Sequence, residues 1–462
     1  MPDLATRADV ARLFGRAAFG ATRADLDKWT GVPYADVVAS LFPPGPVGTL
    51  GRTPHLDEPE RLVAEHYLEN PDLAQMWWLE RLRSTPYPLE ERMTLFWHDH
   101  WATAYLNPPD TGYMVVQNQT LRLHALGSFR ALANAMTVDP AMLFWLNGIS
   151  NHAGGVNENY ARELFELFTL GVLPQVYTET DVREAARALT GWVVNTGLRQ
   201  ATFTDTRHAH DSKTVLGRTI GGYPAADPRN ATEYQEVTEA ALAHDGGRSA
   251  SRFVAYKLVQ QFGYAPDETD LLADSVVQDV AAALRANDAW DIAAAVRTML
   301  LHPGWRHADQ SAGRGLVRSP VELFVHAAKV LGIALSVTGG TNEAHSMSSI
   351  PTRAGQELLI PPSVAGWPSG LGWLSQTTAL GRYEMFAPLF RYFLNAQKGL
   401  LNAAPASGDL AGWAAFMGLS GLSTNTTLRL RSYLDGPGTD KEPEKQASVF
   451  VLVGASPDWQ VI

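Results

Sequence analysis

The sequence predicts a mainly α protein: a single large helical domain over residues 1–462 with a small β-hairpin insertion around 193–220. Three observations lead there. Apolar residues recur at helical spacing in one segment after another. Two segments, Thr22-Arg23-Ala24-Asp25 and Thr178-Glu179-Thr180-Asp181, open on the N-cap-x-x-acid pattern of a capped helix start. Only the stretch 193–220 alternates Thr, Val and Phe with polar residues between glycines, as short strands do. No fixed-period repeat and no long polar linker divides the chain.

In order, a helix over Asp9–Arg16 is broken at Ala18–Thr22, and a second capped helix follows up to Pro43-Pro44-Gly45-Pro46. A long helix is expected over 60–85. The next starts near Pro88, well suited to a first helical turn, and runs to about Ala104. One helix is expected over Thr120–Thr137 and another from Pro140. Helical periodicity resumes at Thr232–Ala243, Ser249–Phe262, Asp267–Ala286, Asp291–Leu301, Pro320–Leu331, Gly381–Ala396 and Ala411–Met417. Residues 351–373 form an irregular Trp/Pro/Gly loop.

Bulk composition narrows the function classes. The chain is 45% hydrophobic and 18% charged, which supports a packed core rather than disorder. A net charge of -11 argues against a nucleic-acid partner, whose phosphates need cations. With no cysteine, disulfides, thiolate metal sites and cysteine nucleophiles are excluded. The start lacks a basic then apolar leader, so a cytoplasmic location is expected, with an exported precursor left open. No window has the apolar length of a membrane-spanning helix. Nucleotide-binding glycine loops, Gly-x-Ser-x-Gly and His-Glu-x-x-His are absent, which disfavours nucleotide cofactors, serine hydrolases and zincins.

The densest polar stretch is Asn157–Gly171, which sets three carboxylates, an arginine and two amides in an apolar helix. Read as an α-helix capped by Asn157, it places Glu158, Arg162 and Glu166 on one self-pairing line. Asn159, Glu163 and Glu166 share a neighbouring face. Two carboxylates one turn apart suit general acid–base work or a divalent metal, and they equally suit a buried ion-pair network.

His98-Asp99-His100 invites a metal reading, but residues two apart on a helix diverge by about 200°. One of the pair can reach a site; the other is expected to be a satisfied core histidine. His208-Ala209-His210-Asp211 falls in the strand region, with Lys213 nearby, where a metal pair, a general base oriented by a carboxylate and a capped turn all fit. Arg187 is an ion-pair or ligand anchor able to reach the opening-helix carboxylates. Arg252 and Lys257 share that ambiguity. Trp367 and Trp373 are rings that either line a cleft or staple a loop.

Several motifs together resemble a large bacterial family catalogued as a domain of unknown function, family 1800. They are Asn157–Leu164, Tyr177–Val182 and Ala186-Arg187-Ala188-Leu189-Thr190-Gly191-Trp192. Supporting matches are Phe19-Gly20-Ala21, Phe96–His100, His210–Gly217 and Ser456-Pro457-Asp458-Trp459-Gln460. Many members of that family look exported, whereas this chain shows no leader. The resemblance singles out residues without giving them roles.

The leading expectation is an enzyme with an acidic, aromatic-lined pocket, attacking a polar small-molecule or glycan-like ligand by hydrolytic or lytic chemistry. Glu163, Glu166, His210 and Asp211 are the catalytic candidates; Asn159, Arg162, Arg187, Trp192, Lys213 and Trp367 are the substrate-binding ones. No organic cofactor is expected. A divalent metal, with His100, Glu163 or His210 as ligands, defines a second reading as oxidoreductase or hydrolase. A non-catalytic helical binding or assembly protein is the third. Oligomeric state is left open.

Overall fold

The computed structural model describes residues 3–45, 70–105, 110–172, 175–267, 273–307, 316–335, 341–389, 404–436 and 440–462. Helix makes up 62% of the structure and the β content is two small antiparallel hairpins, so the fold is mainly α. The N-terminal third comprises α1 (Arg7–Ala17), α2 (Arg23–Trp29), α3 (Tyr34–Ser40), α4 (Pro71–Ser84), α5 (Pro88–His100), α6 (Thr111–His124), α7 (Phe129–Thr137) and α8 (Pro140–Trp145). After α9 (Asn159–Glu163) and α10 (Glu179–Ala188) come hairpins β1 (Trp192–Asn195) with β2 (Gln200–Phe203), and β3 (Ser212–Val215) with β4 (Arg218–Gly221). Trp192 pairs with Phe203 in the first hairpin, and Lys213 with Ile220 in the second. Then follow α11 (Glu233–Ala243), α12 (Arg248–Phe262), α13 (Ser275–Arg285), α14 (Ile292–Leu301), α15 (Pro303–Arg306), α16 (Pro320–Leu331), α17 (Thr341–Arg353) and α18 (Gln376–Glu384). The C-terminal part adds α19 (Leu410–Phe416), α20 (Thr424–Leu434), α21 (Glu442–Gly454) and α22 (Pro457–Gln460).

Both capped starts form as written: Thr22 with Asp25 and Thr178 with Asp181 make reciprocal capping boxes. The expected helix over Thr120–Thr137 is two helices instead. Gly127 and Ser128 leave the helix to meet the segment before α14: Ile292 N–H donates to Gly127 O, and Phe129 N–H to Trp290 O. A long-range pairing overrides local propensity there. The expected long helix over 60–85 begins at Pro71 among the described residues, and its 60–69 portion lies outside them.

The opening stretch also departs from a regular α-helix. It is α only over Asn159–Glu163, then widens to a π turn over Leu164–Thr169. Asn157 does not occupy the N-cap itself; from two residues upstream its Oδ1 accepts the Asn159 N–H at 3.0 Å.

α5 is buried along almost its whole length. Leu89, Met93, Phe96 and Trp97 sit in one core cluster, while Leu95 belongs to a second. Such a helix is buried on nearly every side, so each polar group it carries needs a partner. Its buried Glu91 is held by Arg81 at 2.6 Å and by Arg122, with the Trp78 indole donating at 3.3 Å. The charged line Arg81–Glu91–Arg122 thus joins α4, α5 and α6.

Candidate functional site

The C-terminal end of α5 delivers His98, Asp99 and His100 into three different surroundings, as the helical angle requires. His98 is 1% exposed, with Trp78 and Trp367 rings at 5.2 and 5.4 Å; burial drives its imidazole down to about 3. It is a core histidine and stays neutral.

His100 lies among Phe96, Trp97, Trp101, Phe129, Phe168 and Phe253, all with ring centroids between 4.6 and 6.3 Å. Burial, then the nearby Lys257 cation, lowers it to about 3. Its Nε2–H donates to the Phe168 carbonyl at 3.0 Å. That carbonyl is presented by the π turn, where Leu170 and Gly171 N–H groups both fold back to Phe165 O. The bond fixes the tautomer, so Nδ1 carries the lone pair and has no partner among the described residues.

Asp99 stands between the two. Burial raises its carboxyl to about 6, against the lowering pull of the Trp367 N–H, Lys257 and Arg92. Oδ1 accepts the Trp367 N–H at 2.7 Å. The loop reaches it because Gly366 has φ +82 and lies so close that a Cβ there would sit 2.3 Å from Asp99 Oδ1. Oδ2 has no protein partner among the described residues. Asp99, His100 and Lys257 line a cavity of about 90 Å³ with Phe96, Leu167 and Trp367, and with Gln260 and Gln261 at its edge. That volume holds a few waters or one small functional group. The Lys257 ammonium lies over the Phe253 ring at 5.6 Å and forms no ion pair among the described residues.

Of the sequence-predicted residues, His100 and Trp367 are brought together here. The opening helix supplies Leu167 and the Phe168 carbonyl rather than its carboxylates. Arg162 pairs with Glu158 at 3.4 Å, Glu166 at 3.6 Å and Glu179 at 2.7 Å, so the self-pairing line is a half-exposed ion-pair cluster. Asn159 is exposed, and Glu163 is half-buried with neither a hydrogen bond nor an ion pair among the described residues. Burial and the Glu166 charge raise the Glu163 carboxyl. Removing such a charge is expected to be mildly stabilising: Glu163→Gln should leave the melting temperature at pH 7 unchanged or slightly higher, a shift worth about 1 kcal/mol or less. A sharp fall in a thermal melt would mean an unseen partner has been orphaned.

The hairpin candidates form a separate network. Arg187 does not reach the opening-helix carboxylates; it pairs with Glu184 at 2.6 Å and with Asp211. His210 is oriented by Asp205 at 3.1 Å, and Trp192 packs on Phe203 and Tyr234. Lys213 and Glu233 are wholly buried and paired at 2.6 Å, with the His208 ring 3.3 Å from the same carboxylate. Lys213 therefore has no free ammonium to offer a substrate. Among the described residues, no group of three or more His, Asp or Glu is placed to hold a metal ion, and none of the described helices is long and apolar enough to cross a membrane.

The sequence reading passed over Asp99 and left Lys257 unassigned. The available signal was a carboxylate between two histidines at the end of a helix rich in large apolar side chains.

No curated protein and no solved structure matches the chain. Residues 12–461 match the family described as "Protein of unknown function (DUF1800)". With the match running almost end to end, the chain belongs to that family.

Proposed function

We propose that the chain is an enzyme whose chemistry takes place at Asp99, by general-base attack on a polar small-molecule or glycan-like substrate in a hydrolytic or lytic reaction. One observation carries this reading: a carboxylate with a free oxygen, raised to about 6 by burial, faces a cavity it shares with an unpaired cation. A carboxyl tuned near the working pH is efficient in proton transfer. Asp99 Oδ2 takes a proton from water or from a carbon or hydroxyl of the substrate. Lys257 stabilises the negative charge that develops as the proton leaves. The His100 Nδ1 lone pair accepts a hydrogen bond and orients the reacting group, and the neutral ring adds no competing charge. Trp367 and Leu167 wall the cavity and exclude bulk water.

A screen of chromogenic glycosides, esters and elimination substrates tests the reading. With Asp99 as base, kcat/KM of any hit should climb as pH rises through about 6 and level off above. A profile flat between pH 5 and 7 on a confirmed substrate contradicts it. Lys257→Met should lower kcat more than it raises KM, since its charge acts on the transition state.

A further inference from the structure

Four arginines are buried where α1, α5, α16, α18 and α22 converge: Arg16 at 0%, Arg92 at 0%, Arg318 at 2% and Arg382 at 2% exposure. They are linked by their own contacts. Arg92 Nε donates to Arg16 O at 3.2 Å, and Arg382 Nη2 to Arg318 O at 2.7 Å. Arg318 Nη2 is 3.1 Å from where a Cβ on Gly15 would stand. Among the described residues one carboxylate forms an ion pair with them: Glu322, bound to Arg92 and felt by Arg318 and Arg382, while the Asp99 charge is also felt by Arg92. His326 is no counter-charge, because its Nδ1 accepts from Arg318 at 2.6 Å and burial keeps it neutral.

Five guanidinium nitrogens in this cluster are buried with no partner among the described residues: Arg16 Nε and Nη1, Arg92 Nη1, Arg318 Nε and Arg382 Nη1. The Trp459 indole N–H, 4.8 Å from the His326 ring by centroids, is a sixth orphaned donor. Native interiors rarely leave donors unmet, and buried cations without anions are costlier still. Arg16 also donates to the Ile462 main-chain oxygen at 3.0 Å. Even a full negative charge at that oxygen, added to Glu322 and Asp99, would leave the four guanidinium charges incompletely balanced among the described residues.

We propose that these arginines enclose a binding site for a small oxyanion of the phosphate or sulfate class. A tetrahedral anion presents several acceptor oxygens to guanidinium N–H groups, and charge-assisted bonds of this kind are the strong ones. The site accounts for two motifs that the candidate active site leaves unused. Gly20, at φ +96, lies against the His326 ring, where any Cβ would fall 2.1 Å from ring carbon. Gln460 Oε1 accepts from Arg382 Nε at 2.8 Å, and the Trp459 ring packs against His326 and Phe386.

Two measurements on the full chain test this. The first is ion chromatography on protein denatured after exhaustive exchange into chloride buffer. The second is thermal melting against rising sodium phosphate or sulfate, with sodium chloride holding ionic strength constant. Stoichiometric phosphate or sulfate released on denaturation, or a saturable rise in melting temperature with either anion, supports the site. Neither release nor a saturable rise, with chloride acting as well as phosphate, overturns it and leaves water as the partner of these donors. Where the rise is saturable, Arg382→Gln should need about tenfold more phosphate to reach half of it. An unchanged midpoint would also overturn the assignment, and the wild-type measurements stand if that variant does not fold.

Discussion

Asp99→Asn should abolish turnover and at the same time make the protein harder to melt. The activity loss follows from removing the base, a change on the order of 10²–10⁴-fold. The stability gain follows from linkage. Burial raises the carboxyl from 3.8 to about 6, so between those values the folded chain holds a proton that the unfolded chain has released. The native state is therefore not penalised below pH about 4, loses stability as pH rises towards 6, and carries the full cost above it. The neutral amide removes a penalty of roughly 2 kcal/mol at pH 7, allowing for partial exposure of the group to the cavity. Asn also keeps a carbonyl oxygen to accept the Trp367 N–H, so the loop stays anchored. Thermal melts of both proteins should differ at pH 7 and converge near pH 4. A variant that melts lower at pH 7 would make Asp99 an architectural residue.

Lys213→Met should do the opposite: little to catalysis, much to the fold. Lys213 Nζ holds Glu233 Oε2 at 2.6 Å and also donates to the Ala209 carbonyl, with both side chains wholly buried. Burial lowers the Lys213 ammonium, and Glu233 works against that shift. Cutting away the lysine leaves a carboxylate in the interior with only the His208 ring nearby, at a cost of about 3–5 kcal/mol. The double variant Lys213→Met with Glu233→Leu should recover much of that loss, because the charge is removed together with its partner. Denaturant unfolding of the single and double variants reads this directly. A single variant as stable as wild type, with a raised KM on an established substrate, would return Lys213 to the substrate-binding role that its place in the hairpin first suggested.

The fold was legible wherever the deciding forces were local. Thr22–Asp25 and Thr178–Asp181 carry their caps within four residues, and the alternation at 193–220 needs only its own glycines to become hairpins. It failed where distant chain intervened. The break between α6 and α7 is made by Trp290 and Ile292, which no window around residue 127 contains. The π turn at Leu164–Thr169 moved the face on which Glu163 and Glu166 had been grouped by an α-helical wheel.

The candidate site was half legible for the same reason. Helical geometry rightly separated His98 from His100, yet nothing local marks the residue between them. Asp99 gains its character from burial by chain that is distant in sequence, with Trp367, 268 residues away, closing over it and Lys257 on α12 beside it. Glu163 attracted attention because its own helix left it unpaired, and the structure leaves it unpaired still. Lacking a partner at that half-buried position does not by itself mark chemistry.

The central claim, that the functional centre lies at the end of α5 and not on the carboxylate-rich opening helix, is tested most directly by one comparison. On any substrate found by the screen, kcat/KM is measured for wild type, Asp99→Asn and Glu163→Gln at pH 7.5, with thermal melts to show that all three are folded. The expected result is loss of activity in Asp99→Asn and wild-type activity in Glu163→Gln. An active Asp99→Asn beside an inactive, well-folded Glu163→Gln would contradict it.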